Sequence, residues 1–99
     1  MLRVKILYKK GEEVKYLSHK DLMRAVQRAI RRAKLPINYS QGYNPHMKIS
    51  WGNALKVGAT SENEFAELEM SEFIKPIAVK DQLNLNLSPG LAILDAYMI

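Results

Sequence analysis

Between Ser18 and Pro36 apolar residues recur every three or four positions, and this stretch limits the fold more than any other. Leu22, Met23, Val26, Ala29, Ile30 and Ala33 fall on one side at helical spacing. Lys20, Arg24, Gln27, Arg28, Arg31 and Arg32 fall on the other. Ser18 suits an N-cap, and Asp21 three residues later comes close to a capping box. Pro36 ends the run, because its ring keeps the preceding residue out of helical backbone. A helix with one apolar stripe must bury that stripe against another layer.

The flanking segments supply that layer. Leu2, Val4, Ile6 and Tyr8 alternate with Arg3, Lys5 and Leu7, the period of a half-buried strand. Lys9 to Glu13 reads as a polar turn, and Val14 to Leu17 as a short extended piece. Asn38 to Pro45 is a loop by its Asn, Ser, Gly and Pro content. Met47, Ile49 and Trp51 predict a strand with Met47 and Trp51 in the core, and Gly52 to Asn63 a connection. Ala66, Leu68 and Met70 predict a further strand. Pro76 to Leu87 reads as a second helix with Ile77, Val79, Leu83 and Leu87 as its apolar points. Ser88 to Gly90 breaks it, and Leu91 to Ile99 is a last strand of mixed pattern. The order β-α-β-β-α-β predicts an α+β, ferredoxin-like domain over residues 1–99, a four-stranded antiparallel sheet with both helices on one face.

Composition removes whole classes of chemistry. There is no cysteine, which excludes disulfides, thiolate catalysis and cysteine-bound clusters. The two histidines, His19 and His46, lack metal-ligand spacing, and no cofactor or metal is expected. No run of about 20 apolar residues exists to span a bilayer. The charged and apolar residues alternate from the start, unlike a signal peptide, so the expected setting is the cytoplasm, away from membrane.

Charge divides the chain. Through Gly58 there are 13 Lys/Arg against 3 Asp/Glu, a net of +10; from Ala59 there are 2 against 7, a net of −5. Such a division predicts a basic face for a polyanion, unless the acidic half folds onto the basic half and cancels it. Lys20, Arg24, Arg28 and Arg32 stand four apart and Arg31 lies beside them, so like charges stack along one helix face. Arginine's planar fork suits phosphate. The loop from Asn38 to His46 adds Tyr39 and Tyr43, which are candidates for stacking on bases; ordinary turn chemistry would account for the same residues. Glu62, Glu64, Glu67, Glu69 and Glu72 alternate across a strand, which favours an acidic edge or docking patch over a metal site.

The residues from Tyr16 to Pro36, then Tyr39 to His46, Gly58, and Ser61 to Phe65, resemble the radical-SAM-linked domain of unknown function. Ser18, His19, Asp21, Arg24, Arg28, Arg31, Arg32, Ser40, Gly42, Asn44, Pro45 and His46 match its pattern; Lys20, Tyr43 and Met47 depart from it. The match covers the N-terminal half of that longer domain. The resemblance implies a radical SAM partner and a role in modifying tRNA or rRNA. Without cysteine the chain cannot carry the partner's cluster, so what the resemblance implies is substrate presentation or docking. It also groups Ser18, His19, Asp21, Ser40, Asn44 and His46 as a candidate pocket with His19 and His46 flanking it.

The expected function is therefore an RNA-binding accessory domain with no catalytic residue of its own. One alternative is a protein-interaction module that docks through its acidic strand and last strand or forms a homodimer. Another is a metal-independent ribonuclease using His19, Tyr39 and His46.

Overall fold

The computed structural model describes residues 2–52 and 61–99, with side chains in the strand that opens the second part described from residue 64. Most of the Gly52 to Asn63 connection, including Gly58, lies outside the described residues. Four strands, β1 (Leu2–Lys10), β2 (Ile49–Trp51), β3 (Ser61–Met70) and β4 (Leu91–Met98), form one sheet in the order β2-β3-β1-β4. All neighbouring pairs are antiparallel. Helices α1 (His19–Ala33) and α2 (Pro76–Asn86) complete the order β-α-β-β-α-β, so the fold is α+β and ferredoxin-like.

The alternation read from the sequence sets which face is covered. Val4, Ile6 and Tyr8 of β1 and Ala66, Leu68 and Met70 of β3 are buried. They share one core with Leu22, Val26, Ala29 and Ile30 of α1 and Val79 and Leu83 of α2. Fully burying each large aliphatic side chain contributes about 1.5–3 kcal/mol. Arg3, Lys5, Phe65, Glu67 and Glu69 occupy the opposite face of the sheet.

Several expectations are corrected. Lys9 and Lys10 belong to β1, not to a turn, and Lys10 is buried among apolar residues. Its Nζ donates to the Leu17 carbonyl at 2.8 Å, which supplies a polar partner for the buried head group. Glu12–Val14 forms a 3-10 turn, which agrees with the predicted turn at Glu12 and Glu13 and takes Val14 out of the predicted extended piece. β3 begins at Ser61, ahead of the expected connection's end. Ile77 is exposed, so α2 faces the core through Val79 and Leu83.

The mixed pattern of β4 has a physical cause. Leu7 pairs with Asp95 but Tyr8 with Ile93, so Leu94 is an extra residue. Leu91 and Ile93 face the core before this bulge, and Ala96 and Met98 resume that face after it. Ile93 finds partners across the layer instead. The Asn84 amide of α2 donates to the Ile93 carbonyl at 3.1 Å, and its oxygen accepts from the Ile93 N–H at 2.7 Å.

Candidate nucleic-acid interface

Helix α1 is held at both ends by local chemistry. Ser18 Oγ accepts from the Asp21 N–H at 3.1 Å, the expected cap. At the other end Lys34 takes left-handed backbone, φ 55° and ψ 40°. Its N–H reaches the Arg31 carbonyl, and the Leu35 N–H reaches that of Ile30. This is a Schellman closure, with Leu35 and Ile30 buried beside it. With its apolar stripe on the core, α1 turns Lys20, Arg24, Arg28, Arg31 and Arg32 to solvent, and all five are exposed.

Among the described residues the two charged halves of the chain meet on the sheet, not on this helix. Arg3 Nη1 lies 3.8 Å from Glu67 Oε1, and Lys48 Nζ lies 3.5 Å from Glu69 Oε2. On α1, Arg24 sits 3.9 Å from Asp21 of its own first turn. Among the described residues Lys20, Arg28, Arg31 and Arg32 have no carboxylate partner. β3 is an interior strand with Glu67 and Glu69 paired across it, which removes the expected acidic edge.

The loop after α1 is anchored at its base and open at its tip. Asn38 Nδ2 donates to Glu69 Oε2 at 2.8 Å. That hydrogen bond and the nearby Lys48 ammonium hold the Glu69 carboxyl below the usual carboxylate range, against the opposing effect of its burial. The Ser40 N–H donates to the His46 carbonyl at 2.8 Å, and the His46 N–H donates to Ser40 Oγ at 3.0 Å. These two bonds close the neck of a loop that carries Gln41 to Pro45. Gly42 has φ +129°, which few other residues adopt. Tyr43 beside it is fully exposed and Tyr39 is 44% exposed, so both present ring surface to solvent.

The candidate pocket divides into two places. Ser18, His19 and Asp21 stand at the start of α1; Ser40, Asn44 and His46 follow its end. The helix itself, 15 residues, spans about 22 Å at 1.5 Å per residue. β2 then runs back, so the residue brought to His19 is Trp51, edge-on with ring centroids 5.9 Å apart. Trp51 in turn meets Tyr8 edge-on at 6.4 Å. His19 Nδ1 is buried and has no hydrogen-bond partner among the described residues. His19 is the first residue of α1, and Tyr39 and His46 lie in the loop that follows its last.

Residues 3–99 match the family described as an uncharacterized protein conserved in bacteria (DUF2344). The chain belongs to that family. A comparison with curated proteins found no match. The DUF2344 description names neither a substrate nor a partner. Among the described residues no helix is long and apolar enough to cross a membrane.

Sequence reasoning missed one feature of this DUF2344 chain. A recess of about 370 Å³ runs beside the basic helix, with Arg24 and Arg28 on one wall and Val14, Leu17 and Leu91 among its apolar lining. Tyr16, next to Leu17, is 74% exposed, with Lys15 Nζ 5.2 Å from its ring centroid. The signal available was Lys15 and Tyr16 standing just ahead of the cap, an aromatic beside a cation at the head of the stripe.

Proposed function

We propose that this DUF2344 domain binds RNA along the outer face of α1 and presents it to a radical SAM enzyme that modifies tRNA or rRNA. The observation that carries the RNA reading is the row of exposed cations on α1, four of them without a carboxylate partner among the described residues. Like charges four apart repel by a few tenths of a kcal/mol per pair, so the row costs stability that a polyanion would return. Arg31, Arg32 and Lys34 lead into the loop with exposed Tyr39 and Tyr43, which supplies aromatic faces at that end. The radical SAM partner rests on the motif resemblance alone.

The test is binding of labelled bulk tRNA across a salt series, with an Arg24/Arg28/Arg31/Arg32→Ala variant checked for folding. Log affinity is expected to fall linearly with log salt, and the variant should flatten that slope by about 0.7–0.9 for each phosphate it no longer neutralises. Absence of binding at low salt would reject the reading.

A second reading, a protein-docking module, is favoured by Phe73, Ile77 and Leu85, which stand exposed on or just before α2. It moves the docking surface from the acidic strand to this helix. A monomeric mass, with no complex formed on mixing with the purified radical SAM enzyme, would count against it.

A further inference from the structure

We propose that the recess beside α1 holds one nucleotide of a single-stranded RNA, its phosphate on Arg24 and Arg28 and its base on the apolar floor. This rests on the RNA-binding reading and names the unit that the surface takes up.

The recess has the size of a small-molecule site, about 370 Å³. Its two sides differ in chemistry in the way a nucleotide does. Arg24 and Arg28 lie one helical turn apart on the α1 wall and offer forked donors to one phosphate. Val14, Leu17 and Leu91 supply an apolar surface for the flat face of a base. Asp21 also lines the recess, 3.9 Å from Arg24, and places a carboxylate acceptor on the α1 wall beside the two arginines. A site for a bare anion would exclude a carboxylate. A ribose 2′-hydroxyl would use it, as acidic side chains do in dinucleotide sites.

The floor is built before any ligand arrives. Lys10 Nζ, buried, fixes the Leu17 carbonyl at 2.8 Å. The Gly11 N–H donates to the Gly90 carbonyl at 2.8 Å and ties the first strand's end to the turn before β4. Gly90 has φ +94°, and a Cβ there would come within 3.2 Å of Val14 and 3.0 Å of Glu13. Only glycine lets the turn press this closely on the 3-10 segment that forms the floor. Tyr16, which precedes Leu17 in the chain, is exposed and offers a ring for a neighbouring base. A duplex keeps its base faces stacked inside the helix, so the recess selects for single strands.

Three labelled probes test this with the full chain: a single-stranded RNA octamer, DNA of the same sequence, and the RNA duplex. Ala25→Leu fills the recess from the helix wall, and Ser88→Leu fills it from the facing turn. Each is expected to lower the ratio of single-strand to duplex affinity about tenfold, the worth of one stacked base. Asp21→Ala is expected to lower the ratio of RNA to DNA affinity. Melting curves check that the variants fold, and the two filling positions lie on different elements, so a folding defect in one leaves the other informative. Unchanged ratios in a folded filling variant would overturn the recess. If the Arg24/Arg28/Arg31/Arg32→Ala variant still loses binding in that case, the RNA surface stands and only the recess falls. If the unaltered chain binds none of the three probes, both fall.

Discussion

Lys34 holds left-handed backbone at the end of α1, where a side chain costs about 1 kcal/mol relative to glycine. Lys34→Gly should therefore stabilise the domain by up to about 1 kcal/mol and raise the melting midpoint by roughly 4–8 °C. Calorimetry or circular dichroism would read this directly. Tyr8 gives a second prediction at this scale. Burial pushes its phenol up to about 12, with Glu64 adding to the rise. A raised value means the folded state favours the neutral phenol. Its contribution to stability is complete below pH 10 and is lost as pH rises toward 12. Ultraviolet titration should show a phenol ionising late, and Tyr8→Phe should remove that late step. An unchanged titration in Tyr8→Phe would assign the late step elsewhere.

At the scale of elements, the loop between α1 and β2 depends on Glu69. Its carboxylate accepts from Asn38 and lies beside Lys48, so the native state favours the charged form. That stabilisation is present above the ordinary carboxylate range and is lost as pH falls through the lowered folded value. Glu69→Gln should be less stable than the parent near neutrality, and the two should converge in acid, as followed by urea unfolding at several pH values. Faster amide exchange at Asn38 and Lys48 should accompany it. The β4 bulge depends on Asn84 in the same way. Asn84→Ala removes two hydrogen bonds to Ile93 and should cost about 1 kcal/mol, the net worth of such bonds at a partly exposed site.

For the whole molecule, one core serves all four strands and both helices. Ile6 and Leu68 lie at its centre with no exposure, on the two interior strands. Ile6→Ala or Leu68→Ala should each cost about 2–5 kcal/mol, a large part of the 5–15 kcal/mol that holds an average domain. The loss should appear as a lower urea midpoint in a single transition with unchanged slope. Charge is arranged at this scale too. Among the described residues Glu67 and Glu69 pair with Arg3 and Lys48 on the sheet, while Lys20, Arg28, Arg31 and Arg32 keep no carboxylate partner, so α1 carries a basic face.

The elements were legible in the chain because they rest on interactions between residues a few positions apart. The alternation of Leu2 to Tyr8, the Ser18 cap, the spacing from Leu22 to Ala33 and the stop at Pro36 each act within one turn or one strand. The order of those elements then left few ways to stack them. The solvent-facing stripe of α1 was legible for the same reason, since it is the complement of the buried one. What came together from afar was settled by packing. A rigid helix stands between two halves of one motif, so Ser18, His19 and Asp21 are separated from Ser40, Asn44 and His46. The sheet brought Trp51 to His19, and Glu67 and Glu69 to Arg3 and Lys48. The recess has the same origin. Its walls come from the 3-10 segment, α1 and the turn before β4, and its shape depends on where three distant pieces of backbone are packed.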